Sequence, residues 1–127
     1  MAGAPGWMGA MAAQMSLNGG SREAARETYR RMYEEASDEQ VRTLAALRLA
    51  QIDSLEEREV IRRALAEFRS RAGRCPANWR EAAPLLRAAR LRLDAAGAPL
   101  DPTDAPYELD PGACDVRLGE RSRILKK

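Results

Sequence analysis

Hydrophobic and polar positions follow a helical period in residues 21–36, SREAARETYRRMYEEA. The apolar positions include Ala25, Tyr29 and Met32, and charged residues occupy the opposite side. Apolar side chains spaced by three and four residues lie on one face of an α-helix. Ser21 is a suitable N-cap, and the two glycines before it allow a sharp turn. We therefore expect a helix here whose apolar face packs on neighbouring helices.

Similar apolar stripes predict further helices on both sides of this segment. An uncharged stretch with Trp7 and Met11 predicts a helix at about Pro5 to Leu17. Asp38 is predicted to cap a third helix, whose inward-facing residues are Val41, Leu44, Ala45, Ala46, Leu49 and Ile52.

A fourth helix is predicted to begin after Ser54 as its N-cap and to end near Gly73. Glu56 and Glu57 would then lie in its first turn, where the helix dipole favours acidic side chains. The apolar stripe of this helix consists of Val60, Ile61, Ala64, Leu65 and Phe68.

The composition changes after Gly73, because the prolines concentrate there at Pro76, Pro84, Pro99, Pro102, Pro106 and Pro111. Asn78 is predicted to cap a short helix, and Pro84 to start another that runs to about Asp94. Residues 106–109 and 116–118 alternate apolar and polar positions around Asp110-Pro111-Gly112, which predicts two short strands in a hairpin.

The predicted fold class is mainly α, with about four to six helices arranged as helical hairpins and followed by a Pro-rich tail with a short β-hairpin. Residues 1–73 would form the hairpins. Residues 74–127 would form the short helices and the tail, packed on the first part as one domain.

The composition indicates a soluble surface of mixed charge. The 21 basic and 19 acidic residues alternate along the predicted helices, and the net charge is +2. Only the C-terminal end is basic, and a frayed tail is favoured there over a nucleic-acid contact. Residues 1–21 carry no charge, but the proline and polar residues within them argue against a transmembrane helix, and the lack of a basic start argues against a signal peptide.

The chain contains no histidine, which removes the usual general base and the usual metal ligand. The two cysteines alone do not supply the four ligands of a zinc site. Asp101, Asp104, Asp110 and Asp115 do not have EF-hand spacing, and aspartates beside prolines usually form turns. We therefore expect no metal, no cofactor and no catalytic residue.

Cys75 and Cys114 are two free thiols or one disulfide. A disulfide would close a long, loop-rich segment and stabilise it by up to about 3–4 kcal/mol. The sequence slightly favours the disulfide, and with it a periplasmic or other extracytoplasmic setting. Two reduced thiols in a cytosolic protein remain the alternative.

Residues 20–25, followed by Tyr29 and Met32, resemble the second helix of a tetratricopeptide repeat. In that family a glycine opens the turn, an alanine packs closely and an aromatic residue follows one turn later, as Ala25 and Tyr29 do here. Met32 stands where the family usually has alanine, and Ser37 where it usually has proline. The resemblance covers about the first half of the chain and implies helical hairpins that stack into a binding surface.

Asp101-Pro102 and Pro106-Tyr107 resemble the C-terminal loop of type II secretion pseudopilins. That family usually has a glycine where this chain has Asp104, and its N-terminal membrane helix has no counterpart here. Further positions are similar to a tail that follows helical repeats in some bacterial proteins, namely Phe68, Gly73, Pro76, Trp79, Gly97, Pro99 and Leu100. The resemblance implies a bacterial scaffold or assembly protein, with the cell envelope as an expected location, and neither a calcium site nor a pilin function.

The expected function is that of a non-enzymatic scaffold that binds protein partners or packs against further repeats of a larger assembly. The residues expected to carry this packing are Ala25, Tyr29, Met32, Leu65 and Phe68. The alternative is a structural component of an envelope or secretion-related complex, in which the disulfide-closed tail is the functional part. An enzyme is a third hypothesis, which would require carboxylates such as Glu67, Asp94 or Asp101 to act without histidine.

Overall fold

The computed structural model describes residues 21–125 as a mainly helical protein with one small antiparallel sheet. The helices of this part are α1 (Arg22–Glu35), α2 (Glu39–Ala72) and α3 (Trp79–Ala88). The strands are β1 (Glu108–Asp110) and β2 (Asp115–Arg117). The mainly α fold with a short hairpin is thus as predicted, whereas the described residues contain three helices where four to six were expected for the whole chain. The helix predicted at about Pro5 to Leu17 lies outside the described residues.

Helix α1 forms as the sequence predicts. The Ser21 hydroxyl accepts a hydrogen bond from the backbone N–H of Ala24 at 3.2 Å, which satisfies one of the free N–H groups of the first turn. Ala25 and Tyr29 are buried together with Ile52 of α2. The apolar stripe of α1 therefore packs on the first half of α2.

Helix α2 is one continuous helix, and the prediction of two helices divided at Ser54 is wrong. Asp38 begins α2 as expected, because its carboxylate accepts the N–H of Gln40 at 2.8 Å. No glycine or proline interrupts residues 39–72, and the buried Ser54 hydroxyl bonds the Tyr107 hydroxyl instead of capping a new helix. The helix ends at Gly73, whose φ of +74° is the left-handed conformation that glycine adopts readily.

Helix α3 begins as predicted and then continues through Pro84, which was expected to start a separate helix. The Asn78 side chain accepts the N–H of Glu81 at 3.2 Å and caps the helix. A proline inside a helix removes one intrahelical hydrogen bond. Here the buried face of Ala82, Ala83 and Leu86 extends on both sides of the exposed Pro84, and this packing offsets the lost bond.

The segment after α3, residues 89–125, is called the tail. Its hairpin forms where the alternating pattern predicted it, with Leu109 paired to Val116. Isolated bridges join Leu93 to Pro99 and Leu100 to Pro106, so the rest of the tail folds back on itself in short turns.

The described residues form two compact units, one of residues 21–52 and one of residues 53–125. The core of the second unit joins α2, α3 and the tail, and its buried residues are Ile61, Ala64, Leu65, Ala82, Leu86, Tyr107 and Val116. The predicted division into residues 1–73 and 74–127 remains a prediction. Within residues 21–125, the helices are too short or too polar to span a bilayer.

Candidate functional site

Tyr107 fixes the tail to α2. Its side chain is 2% exposed, and its hydroxyl donates a hydrogen bond to a carboxylate oxygen of Glu57 at 2.7 Å. The Ser54 hydroxyl lies 2.8 Å from the Tyr107 hydroxyl oxygen and supplies the second hydrogen bond. Trp79 of α3 donates its indole N–H to the Tyr107 carbonyl oxygen at 2.9 Å. Burial raises the pKa of Tyr107, so this hydroxyl remains protonated as a donor.

Asp101 organises the turn that precedes Tyr107. One of its carboxylate oxygens accepts the N–H and the hydroxyl of Thr103 and the N–H of Ala105. Burial opposes ionisation of this group, but the polar contacts of Ser122, Thr103 and Ala105 outweigh it and keep the pKa of Asp101 below its ordinary value. The other oxygen, Oδ2, is buried and has no hydrogen-bond partner among the residues that the structure describes.

Cys75 and Cys114 lie at disulfide distance, with their Cα atoms 5.6 Å apart. The pair joins the loop after α2 to the turn of the β-hairpin, where Cys114 has a φ of +55°. This geometry matches the disulfide that the sequence slightly favoured.

Most of the residues that the sequence predicted to carry packing lie in the two hydrophobic clusters. Ala25, Tyr29 and Met32 belong to the α1–α2 cluster, and Leu65 is fully buried in the second unit. Phe68 is half-buried, and the guanidinium of Arg74 lies 5.6 Å from the centre of its ring.

A groove runs along α2 in the second unit and is the concave feature on which an interaction hypothesis is built here. One part is a cleft of about 490 Å³, and the next is a cleft of about 460 Å³. Both are lined by Val60 and Ala89, so they adjoin each other, and together they are called the α2–α3 groove. Along α2 the groove extends from Asp53 to Glu67, which is about 20 Å at the helical rise.

The lining of the α2–α3 groove is apolar in large part, and acidic residues line one of its ends. The apolar lining comes from α2, the end of α3 and the tail: Val60, Ala64, Leu85, Ala88, Ala89, Leu91 and Pro102. Asp53, Glu56 and Glu57 line the acidic end, because residues three and four apart share one helix face. Burial raises the pKa of Glu57, against the opposing effects of the Tyr107 hydrogen bond and the Arg92 charge.

Arg92 is the one basic residue among the described residues that line this cleft. Its guanidinium is bound by the Asp104 carboxylate and donates to the Asp101 carbonyl oxygen at 2.7 Å. Its charge therefore interacts with Asp104 outside the groove lining and with Glu57 within it. Asp104 makes this contact from a left-handed backbone with a φ of +64°, which aspartate tolerates better than most residues.

The carboxylates named for the enzyme hypothesis are each held in local structure. Glu67 pairs with Arg71 one turn away, and Asp94 accepts the N–H groups of Ala96 and Ala98. Asp101 organises its own turn. Over residues 21–125, the structure contains no cluster of three or more potential metal-ligating side chains.

The sequence interpretation missed the groove and the partners of Tyr107. Ser54 and Glu57 were assigned to a helix start, which concealed that they face the tail. The absence of glycine and proline from residues 39–72 was the signal for one helix. With that helix assumed, Asp53, Glu56 and Glu57 fall on one face.

The chain matches no protein-family model, and neither the curated proteins nor the solved structures contain a significant match to it. Its function is therefore inferred from the geometry alone.

Proposed function

We propose that this protein is a non-enzymatic protein–protein interaction module, and that the α2–α3 groove holds a segment of its partner. The observation that carries the proposal is the pair of adjoining clefts, which extend about 20 Å along α2 and are lined in large part by apolar side chains. Apolar grooves between elements of regular structure are common binding sites for peptide segments.

Two features of the described residues support this proposal. The groove has preformed walls, since Tyr107 and Trp79 bind the tail to the helices on which it is built. A bound segment then loses less free energy to ordering of its receptor. Additional apolar side chains, Val41 and Leu44, are exposed on the first half of α2, where further packing contacts of a scaffold would form.

The test is selection of random displayed peptides on the immobilised full-length protein, followed by affinity measurements on synthetic copies. Ala88 is exposed and lines the groove, so Ala88→Glu should weaken the selected peptides by about tenfold or more. Ala95→Glu places the same change on an exposed residue that does not line the groove, and should leave binding unchanged. Circular dichroism of both variants is the check that they are folded. Failure to select peptides, or equal binding by Ala88→Glu, would contradict the proposal.

The second candidate function is that of a structural component of a bacterial envelope or secretion-related complex, with the disulfide-closed tail as its functional part. The position of Cys75 and Cys114 at disulfide distance supports it, because disulfides persist mainly in oxidising compartments. A count of free thiols in unfolded, unreduced protein from its native source tests it. Two free thiols in that protein would exclude a disulfide-closed tail.

A further inference from the structure

We infer that residues 5–17 of this chain bind as a helix to an exposed apolar patch at the start of α2, with Trp7 against Leu44. The patch, called the α2 patch, is formed by Val41, Leu44 and Leu47. Its occupant is the chain itself, because the segment that leads into α1 has the length, the direction and the composition to cover it. The inference does not depend on the α2–α3 groove, which contains no residue of the α2 patch.

The α2 patch is the part of an apolar stripe that residues 21–52 leave uncovered. Ile52, further along the stripe, is fully buried, whereas Val41 is 39% exposed and Leu44 is 44% exposed. Leu44 and the half-buried Leu47 also line a shallow cleft of about 330 Å³. The sequence predicted that Val41 and Leu44 face inward, as the stripe of an amphipathic helix does. Burial of these side chains therefore requires a further element.

The path of α1 sets the distance between the α2 patch and the point where the preceding segment joins. Ala25, near the start of α1, belongs to one buried cluster with Ile52. Near the end of α1, the guanidinium of Arg42 lies 6.0 Å from the centre of the Tyr33 ring. Helices α1 and α2 therefore run antiparallel, and the α2 patch lies at the level of the end of α1. The start of α1 is about 20 Å away along the helix axis.

Residues 5–17 have the length to return over this distance. The sequence predicts a helix for them, which extends about 18 Å at the helical rise. The two glycines before Ser21, the N-cap of α1, permit a sharp turn, and helices joined by so short a connection pack as antiparallel neighbours. This helix then begins at the level of the α2 patch. Its first turn, which contains Trp7, therefore lies beside Leu44.

The composition of the segment is the third argument. Residues 1–20 contain no charged side chain. Trp7, Met11 and Met15 recur at helical spacing and form an apolar stripe, and methionine adapts well to irregular surfaces. A tryptophan ring supplies a large apolar area to such a contact. The stripe of this segment and the α2 patch thus bury each other.

The experiment follows the fluorescence of Trp7 in the full-length protein. The difference between each protein and its Trp7→Phe counterpart removes the emission of Trp79, the other tryptophan. In Leu44→Glu the emission of Trp7 should shift to longer wavelength and be quenched more strongly by acrylamide, because burial of a carboxylate is costly and displaces the segment. The matched control is Ala46→Glu, which places the same charge on an exposed residue nearly on the opposite side of α2 and should leave the emission unchanged.

A double-mutant cycle provides a second measurement, which does not require a charged residue in the α2 patch. Trp7→Ala and Leu44→Ala together should raise the equilibrium constant of unfolding by about fivefold less than the product of their separate effects. Met15→Ala and Leu44→Ala together should give the product itself, because Met15 lies about 12 Å further along the predicted helix than Trp7. Denaturant unfolding of these variants measures the two cycles.

Light scattering distinguishes the chain's own segment from a second copy, and the wild-type protein should be a monomer. A wild-type dimer that Leu44→Glu dissociates would assign the α2 patch to a second copy and overturn the inference. Trp7 emission that is unchanged in Leu44→Glu, or that shifts equally in Ala46→Glu, would also overturn it, as would additive effects of Trp7→Ala and Leu44→Ala. None of these results concerns the α2–α3 groove, so the proposed function is tested separately.

Discussion

Tyr107 combines an apolar ring in the core with a hydroxyl group that reaches two polar partners on α2. The ring belongs to the cluster formed with Ile61, Leu65 and Val116. Its hydroxyl is hydrogen-bonded to the hydroxyl of the fully buried Ser54. Because a buried polar group is costly only when it is unpaired, the two side chains depend on each other.

Tyr107→Phe should therefore lower the free energy of unfolding by about 1–3 kcal/mol while leaving the ring packing intact. Denaturant unfolding measures the change. Tyr33→Phe is the matched control, because Tyr33 is 42% exposed and its loss of a hydroxyl should cost less than about 0.5 kcal/mol. A double-mutant cycle with Ser54→Ala should show that the serine contributes little once Tyr107 has been replaced by phenylalanine. Additive effects of the two substitutions would contradict the assigned hydrogen bond.

Glu81 links the start of α3 to the loop after α2. The Arg74 guanidinium, bound at 2.6 Å, and the Ala77 N–H lower the pKa of this carboxyl from 4.5 to about 2. A lowered pKa means that the folded state favours the charged form. The resulting stability is present above pH 4.5 and is lost as the pH falls toward about 2.

The wild-type protein should consequently melt at a higher temperature than Glu81→Gln at neutral pH, and the difference should close between pH 4.5 and about 2. Thermal melts over this pH range provide the measurement. In an Arg74→Gln background the pH dependence should shrink, because the guanidinium is its main cause. A difference that is constant with pH in the wild-type background would refute the assigned ion pair.

At the level of elements, the continuity of α2 determines which side chains face the tail. The sequence interpretation treated Ser54 as a cap because serine is frequent at helix starts. Serine also occurs within helices when its hydroxyl has a hydrogen-bond partner. For Ser54 this partner is Tyr107, which is more than fifty positions further along the chain. No local pattern reports such a contact, whereas Asp38, Asn78 and Gly73 were predicted correctly because their roles are local.

The substitution Leu55→Pro distinguishes one continuous α2 from two helices divided at Ser54. If a helix began after Ser54, residue 55 would be its first position, where proline is well tolerated. In the continuous helix the same change should cost about 3 kcal/mol or more. Glu39→Pro, at the true first position of α2, should cost less than about 1 kcal/mol. Leu55→Ala corrects for the lost side chain, and chemical denaturation of the three variants gives the comparison.

At the scale of the whole molecule, the groove requires residues that are distant in sequence. Glu56 and Val60 come from α2, Leu85 from α3, and Leu91 and Pro102 from the tail. The sequence predicted the β-hairpin and indicated the cysteine pair through local alternation and through the loop-rich segment between them. It could not predict how α3 and the tail meet α2, because that depends on the packing of Leu86, Tyr107 and Val116 in the shared core.

Replacing Cys75 and Cys114 tests whether the tail is held in place by a disulfide or by its own packing. The cysteines are 39 positions apart, and closing a loop of this size stabilises by about 4 kcal/mol in the chain-entropy description. The unreduced protein should therefore contain no reactive thiol after unfolding and should lose up to about this free energy in Cys75→Ser/Cys114→Ser. Intact mass with and without reductant and denaturant unfolding measure both quantities.

The double serine variant should nevertheless remain folded, because Tyr107, Trp79 and the Arg62–Asp115 ion pair hold the tail and hairpin independently of the sulfur atoms. Peptides selected on the wild-type groove should bind it with unchanged affinity below its melting temperature, since neither cysteine lines the groove. Retained binding would show that recognition by the groove does not depend on the disulfide that closes the tail. Loss of binding in a folded variant would mean that closure of the tail is needed for recognition, and would favour the second candidate function over the first.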